Sequence, residues 1–291
     1  KRIRMSKNYY ALVAGLPDIM AQDKKLLYTS VQMRDIISEE VSEEDMSLVQ
    51  LLFLPFDHLN IVNALFKKQV SWDERGNLSS EIVEQLKDKK NIESVDLENV
   101  PSYIRDFVER YYVEEQEINF YQAEFLLTEA YFEYLTIHTN SFVAALGYYY
   151  TSLNNLKVAY KGRKHDVSYD KQLIGENELT HALRKSRTRD FGASTLVDNL
   201  ESLLQIFEIE NTIERELKID NNTWNFVEEN TFFNYFSIER VMAFIVKLLI
   251  VERWLLLDEE KGKQMFNQLV TELQDAFQFS HEYTLAYGKK K

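Results

Sequence analysis

The sequence predicts an all-α fold. Among its 291 residues only 8 are glycine and 3 are proline, so it has few of the residues that build the many tight turns of an all-β protein. Apolar residues recur three and four positions apart over long segments, which places them on one face of a helix. We therefore expect long helices and no substantial β-sheet.

The most apolar segment, residues 231–257, predicts a central helix. It contains no Gly or Pro, and within 241–257 only Lys247, Glu252 and Arg253 are charged. Because this leaves no wide polar face, nearly the whole circumference of the helix must be covered. Its uncharged runs are far shorter than the roughly 18 to 20 residues that a bilayer span requires. We expect Glu252 to pair with a basic residue of a neighbouring helix, although a functional carboxylate is the alternative.

The first third of the chain predicts two further elements and a connection. Residues 8–16 predict a short buried strand or a first helical turn. Met46–Lys68 predicts a helix that Pro55 kinks or divides, because proline lacks an N–H group and clashes with the preceding turn. Ser42 is expected to cap a helix start, with acidic residues in the first turn. Residues 72–100 are charged and weakly patterned, and they predict a connection between lobes.

The rest of the chain predicts long helices up to the C-terminal tail. Pro101 opens a second helical region with aromatic residues three and four positions apart. Gly192 is expected to end a helix. A later helix is predicted by an apolar stripe of Leu196, Leu200, Leu203, Leu204 and Phe207. A last amphipathic helix is expected at about 259–279, before a polar, basic tail.

Composition excludes several classes of function. The net charge is −13, whereas a protein that binds a nucleic-acid backbone needs clustered Lys and Arg. The chain has no Cys, so it has no disulfide, thiolate metal site or cysteine nucleophile. Its basic start is not followed by an apolar segment, so we expect no secretory signal.

One pair of residues matches a metal-binding pattern. Glu178 and His181 form E-x-x-H, the spacing with which one helix supplies two ligands to a di-iron centre, but the chain contains no second E-x-x-H. Glycine-rich phosphate loops and the G-x-S-x-G nucleophile motif are also missing from the sequence. We therefore expect no catalytic residue, metal or cofactor. The alternative is an all-α, carboxylate-lined, metal-dependent enzyme with Glu178 and His181 among its ligands.

A weak internal repeat is the most informative feature of the sequence. The chain has DHLNIVNALFKK from Asp57 and SLNNLKVAYKGR from Ser152. Aligning Asn60 with Asn155 pairs apolar residues and brings together cations that end each predicted helix, where the helix dipole favours them. The paired residues are Ile61 with Leu156, Ala64 with Ala159, Leu65 with Tyr160, and Lys67/Lys68 with Lys161/Arg163.

The spacing of the repeat fits three lobes in this length of chain. We expect helical lobes at residues 5–100, 101–200 and 201–291, the last of which contains the central helix at 231–257.

This combination resembles the C-type central-stalk subunits of V/A-type rotary ATPases, whose vacuolar counterparts are the d-type subunits. That family repeats a helix of the form D-x-x-N-L-K-x-x-L-R-x-K, and its last lobe has an apolar helix with an acidic residue. The counterparts here are Asp57–Lys68, Ser152–Arg163 and Ile250–Leu257. Six positions carry the resemblance: Asp57, Asn60, Asn155, Lys157, Arg163 and Glu252. The departures are Ser152 in place of Asp, Phe66 in place of Arg, and Trp254–Leu256 in place of N-L-R.

The start of the chain is similar to that of bacterial proteins associated with V-type ATPase gene clusters, which begin Y-Y-x-L-V-A-G-L-P-D-I, here Tyr9–Ile19. The resemblance implies a funnel of three helical lobes around a central cavity, seated on the membrane proteolipid ring, with the tip of the central shaft in its mouth. Such a subunit transmits torque and catalyses nothing itself. It is cytoplasmic and lies on the inner membrane only through its partner subunits. A helical scaffold for an unrelated partner is a further alternative.

Overall fold

The computed structural model describes residues 7–21, 23–91, 95, 101–113 and 118–258. Within these residues it contains twelve α-helices and no strand, which confirms the all-α prediction. In chain order they are α1 Tyr10–Gly15, α2 Ser30–Glu40, α3 Glu43–Leu51, α4 Leu54–Leu65, α5 Ser80–Gln85, α6 Ser102–Val113, α7 Phe120–Thr136, α8 Ser141–Lys164, α9 Glu178–Lys185, α10 Leu200–Glu208, α11 Thr212–Asn230 and α12 at 238–258.

Side-chain caps fix where several helices begin. Ser42 accepts a hydrogen bond from the Asp45 N–H at the start of α3, and the first turn contains three acidic residues, as predicted. The starts of α2, α7, α8, α9 and α11 are capped in the same way by Thr29, Asn119, Asn140, Asn177 and Asn211.

Pro55 divides the predicted helix between residues 46 and 68, as expected. It lies in the first turn of α4, where a missing N–H group has no partner to lose. α3 and α4 meet at an angle of 60°. In the described part of the chain, no single helix is long and apolar enough to cross a bilayer. α3 and α4 meet these two criteria only when they are taken together as a bent pair.

The central helix begins later than predicted. Residues 231–237 form a turn, and α12 starts at residue 238. The Asn234 N–H donates to the Thr231 carbonyl oxygen and the Asn234 side chain donates to Ser237, so local hydrogen bonds replace the expected helical ones. The predicted burial is confirmed for residues 241–248, all eight of which are buried, but not for the end of the helix, where Arg253, Leu256 and Leu257 are exposed.

Three other segments differ in detail from the sequence prediction. Of the two alternatives predicted for residues 8–16, the structure has the helix, α1 at Tyr10–Gly15, but only Leu12 of it is buried. Part of the predicted connection at 72–100 packs into the core through Leu78, Val83 and Leu86, while residues 92–94 and 96–100 lie outside the described residues. Leu196 precedes α10, which starts only after Asn199 in a left-handed conformation. The helix predicted at 259–279 also lies outside the described residues.

The apolar interior consists of two clusters. The larger one contains residues from α1 to the first half of α8, the end of α11 and most of α12. The smaller one contains the second half of α8, together with α9, α10 and Ile219 of α11. Both α8 and α11 therefore pass from one cluster to the other. The division into lobes at residues 100 and 200 stays a prediction.

α7 and α8 approach each other closely around Gly147. A Cβ atom at this position would lie 2.5 Å from the Thr136 backbone nitrogen and 2.7 Å from the Leu135 Cβ. Only glycine therefore allows the two helices to approach this closely.

Candidate functional site

Asn60 on α4 binds the loop that follows its own helix. Its Nδ2 donates to the Asp73 carbonyl oxygen at 2.9 Å, and its Oδ1 accepts from the Asp73 N–H at 3.2 Å. A carboxamide has the same donor and acceptor as a peptide group, so one buried side chain satisfies both backbone groups of one residue. We call this pair of hydrogen bonds an asparagine clamp.

Asn155 on α8 forms a second asparagine clamp. Its Nδ2 donates to the Ile174 carbonyl oxygen at 2.9 Å, and its Oδ1 accepts from the Ile174 N–H at 2.8 Å. After each clamp a short helix follows, α5 in the first case and α9 in the second. The two positions aligned in the sequence therefore have the same structural role.

The first position of the repeat differs between the two copies. Asp57 is fully buried and accepts hydrogen bonds from the Leu78 N–H and the Asn77 side chain, both at 2.8 Å. Burial raises the pKa of Asp57, and these hydrogen bonds partly offset that rise. Gly76 fits beside this carboxylate because a Cβ there would lie 2.7 Å from the Asp57 Oδ1. Ser152, also buried, has no carboxylate to bind its own loop.

Lys157 and Arg163 connect α8 to later segments. The Lys157 Nζ lies 3.0 Å from the Glu216 Oε1 on α11. The Arg163 guanidinium donates to the carbonyl oxygens of Ser186 and Thr188 and lies 3.6 Å from the centre of the Phe191 ring. Both residues therefore stabilise the packing around the smaller cluster.

Glu252 on α12 is buried and contacts the start of α2. It accepts hydrogen bonds from the Ser30 N–H at 3.0 Å and from the Ser30 hydroxyl at 2.5 Å. The Arg75 Nη1 lies 3.9 Å from its second oxygen. The expected basic partner is therefore present, although it belongs to a loop and not to a neighbouring helix.

The loop at 73–78 brings three of the predicted positions together. Asn60 clamps Asp73, Asp57 binds the loop at Leu78, and Glu252 lies beside Arg75. Arg75 also forms an ion pair with Asp73 at 2.6 Å. Asn155, Lys157 and Arg163 do not join this group, because they bind segments around the smaller cluster.

A cavity of about 650 Å³ lies between α4, α7, α8, α11 and α12, and we call it the five-helix cavity. Its volume is typical of a small-molecule site, for which roughly 300 to 1,000 Å³ is usual. Most of its lining is apolar, and the charged lining residues are Arg75, Glu124, Glu216, Asp220 and Arg253.

Two carboxylates of the cavity have partners. Asp220 accepts from Arg253 and from the Trp254 indole, and Glu216 pairs with Lys157. Burial nevertheless raises the pKa of Asp220. The residue types and spacing of the lining residues do not reveal this cavity, because they come from separate helices that only the fold brings together.

His58 is buried in the core, and no sequence motif indicates its role. Its Nε2 lies 2.8 Å from the Tyr103 hydroxyl oxygen, and its ring packs edge-on against Tyr131. Burial lowers the pKa of His58 to about 3, so the imidazole is neutral at neutral pH.

Glu178 and His181 lie in the first turn of α9. Both are exposed on α9. Across the described ranges, no group of three or more His, Asp or Glu residues has the arrangement to hold a metal ion.

The chain matches a known family. No curated protein and no solved structure matches the chain. Residues 5–277 match the family described as "Protein of unknown function (DUF2764)". Because the match covers most of the sequence, the chain belongs to the DUF2764 family.

Proposed function

We propose that this protein is a non-catalytic central-stalk subunit of a V/A-type ion-translocating ATPase, and that it couples the rotor shaft to the membrane proteolipid ring. The observation that carries the proposal is the equivalence of the Asn60 and Asn155 clamps. These residues occupy matching positions in the two segments that resemble the repeated helix of the C-type central-stalk family. Both side chains bind the backbone of one residue in the loop that follows their helix, and this shared geometry supports the alignment of the two segments.

The packing of the long helices is consistent with a mechanical role. A protein that transmits torque must resist shear between its helices, and close-packed helix contacts provide that resistance. Eight consecutive buried residues of α12 and the close approach of α7 and α8 at Gly147 are contacts of this kind.

The partners in this proposal are the proteolipid ring and the shaft subunits. The protein is cytoplasmic, lies on the inner membrane as part of the complex, and uses no cofactor of its own. The residues on which the metal-dependent enzyme was based, Glu178 and His181, are both exposed on α9. A scaffold for an unrelated partner is the alternative that the experiment must distinguish.

Deletion of the gene in the native organism tests the proposed function. In inverted membrane vesicles, we expect ATP-driven ion uptake to be lost while the catalytic subunits continue to hydrolyse ATP. A plasmid copy of the gene should restore uptake. Unchanged ATP-driven ion uptake in the deletion strain would rule out the proposal, and a scaffold for another complex would give that result.

A further inference from the structure

One hydroxyl in the lining of the five-helix cavity has no partner in the described part of the chain. The hydroxyls of Tyr131, Thr128 and Thr223, which also line the cavity, each donate to a backbone carbonyl oxygen. Tyr150 is largely buried, and burial raises the pKa of its hydroxyl, so the group stays protonated at neutral pH. A buried tyrosine hydroxyl normally has a hydrogen-bond partner. That of Tyr150 is therefore available to a molecule in the cavity.

Glu124 is the second lining residue with an unused polar group. The other charged lining residues form ion pairs, which are Arg75 with Asp73, Glu216 with Lys157, and Asp220 with Arg253. Glu124 is half-buried and forms no ion pair with any described residue. Its carboxylate can only accept hydrogen bonds, so a molecule that binds it must donate them.

The charges around the cavity favour a cation. The charged lining residues and their ion-pair partners comprise three cations and five carboxylates, a local net charge of −2: Arg75, Arg253 and Lys157 against Glu124, Glu216, Asp220, Asp73 and Glu252. The low-dielectric walls of a cleft strengthen such a field. The rings of Phe132 and Tyr150, which also line the cavity, attract cations through their faces. An anionic ligand is therefore disfavoured.

The two unused polar groups lie apart along the cavity. α7 and α8 run antiparallel, and the stacked rings of Phe132 and Tyr150 have their centres 6.0 Å apart. Glu124 precedes Phe132 by eight residues, so its level along the helix axis is about 12 Å from that of Tyr150. At the level of Glu124 lies the turn of α8 with Lys157, which binds Glu216 at 3.0 Å. The two glutamates therefore share one end of the cavity.

The buried part of the lining is mainly apolar. It consists largely of aliphatic side chains from four segments, Leu52, Val62, Ile219 and Val246. A ligand that extends from the glutamates toward Tyr150 must therefore have an apolar body, because a polar one would lose its hydration without gaining partners.

We infer that the five-helix cavity binds an elongated organic amine, with its protonated amino group at Glu124 and Glu216, an apolar body, and a second polar group that bonds to the Tyr150 hydroxyl. This inference goes beyond the proposed function, in which the protein has no small-molecule ligand.

Isothermal titration calorimetry with the purified full-length chain tests the inference. Decylamine, decanol and decanoate have the same ten-carbon chain and differ in the charge of the head group. At pH 7.5 and below the concentrations at which they form micelles, we expect decylamine to bind about tenfold more tightly than decanol, and decanoate to bind most weakly.

Variants at Glu124 locate the amino group. Glu124→Gln should weaken decylamine binding about tenfold, because a charge-assisted hydrogen bond is lost, and should leave the affinity for decanol unchanged. Glu129→Gln is the matched control, since Glu129 is also half-buried on α7 but does not line the cavity.

A fourth probe tests the other end of the cavity. 10-Amino-1-decanol adds a hydroxyl to the far end of decylamine. Tyr150→Phe should weaken binding of this probe and leave the affinity for decylamine unchanged. Leu153→Trp should fill the cavity and prevent binding of every probe, and thermal denaturation checks that this variant is folded.

Several results would overturn the inference. One is failure of decylamine to bind, and another is decanoate binding as tightly as decylamine. Equal affinities for decanol and decylamine would identify an uncharged apolar site and contradict the assignment of an amine. An unchanged decylamine affinity in Glu124→Gln would also contradict it. The ion-uptake experiment on the deletion strain does not depend on these outcomes.

Discussion

Glu252 accepts hydrogen bonds from both the backbone N–H and the hydroxyl of Ser30, a residue 222 positions earlier in the chain. Ser30 begins α2, where the N–H groups of the first turn lack partners within the helix. A carboxylate at this end also interacts favourably with the helix dipole. The contact ties the last described helix to one of the first.

We predict that Glu252→Ala lowers the free energy of unfolding by about 2 to 4 kcal/mol, because two buried donors lose their acceptor. Glu252→Gln should lower the free energy of unfolding by a smaller amount, since its amide oxygen still accepts a hydrogen bond from Ser30. Urea denaturation of the purified variants measures both values. Exposed Glu229→Ala is the control and should stay within about 0.5 kcal/mol of the parent. A Glu252→Ala variant as stable as this control would contradict the role assigned to Glu252.

The Asn155 clamp is predicted to be strongly stabilising. Asn155→Ala leaves the buried Ile174 N–H and carbonyl oxygen without partners, so we expect a loss of about 2 to 4 kcal/mol. Asn155→Asp should destabilise the protein more than Asn155→Ala does, because a carboxylate cannot donate a hydrogen bond and would face the Ile174 carbonyl oxygen in a buried site. Neighbouring Asn154→Ala is the control, and chemical denaturation is the measurement.

Equivalence of the two clamps gives a separate prediction for Asn60. Asn60→Ala should also lower stability, but by less than Asn155→Ala, about 1 to 2 kcal/mol, because the Asp73 backbone groups are only partly buried. Asn63→Ala on the same helix serves as the control. If Asn60→Ala were neutral while Asn155→Ala was destabilising, the two positions would not be structural equivalents.

Gly147 is predicted to be required for the contact between α7 and α8. Alanine would add about 1 kcal/mol of helix propensity. Overpacking against backbone atoms at 2.5 Å outweighs that gain, so we expect a net loss of about 1 to 3 kcal/mol. Gly15→Ala is the control, because a Cβ there meets no atom within 4 Å. Thermal and urea denaturation should separate the two variants, and equal stability would refute the packing argument.

His58 predicts a specific pH dependence. The unfolded chain takes up a proton on this residue below pH 6.5, whereas burial keeps the folded form neutral down to a pKa of about 3. Above pH 6.5 the neutral His58 does not reduce the free energy of unfolding. Below pH 6.5 the free energy of unfolding decreases, by about 2 kcal/mol at pH 5, because only the unfolded chain binds the proton.

The measurement is the free energy of unfolding at pH 7.5 and pH 5. His58→Gln should show a smaller decrease in the free energy of unfolding between the two pH values than the parent. An unaltered decrease in His58→Gln would show that His58 does not titrate as described.

Local signals in the sequence predicted much of the fold. Ser42 capped α3 and Pro55 divided α3 from α4 because both effects depend on a few neighbouring residues. The predicted start of α12 was wrong. Residues 231–237 are apolar enough to suggest a helix, but they form a turn stabilised by a hydrogen bond between Thr231 and Asn234. Apolar patterning describes burial and does not identify such hydrogen bonds.

The candidate site was predictable only in part. The repeat identified Asn60 and Asn155 as equivalent, but their partners, Asp73 and Ile174, lie in loops without a recognisable pattern. The five-helix cavity and the pairing of Glu252 with Ser30 depend on contacts between residues far apart in the chain. Such contacts are set by the packing of whole helices and leave no local signal.

Affinity purification from the native organism tests the central claim most directly. The tagged protein is extracted from membranes in mild detergent, and the proteins that accompany it are identified by mass spectrometry. Our account predicts the proteolipid ring and the central-shaft subunits of a V/A-type ATPase in stoichiometric amounts. Recovery of the protein with neither of them would contradict the account.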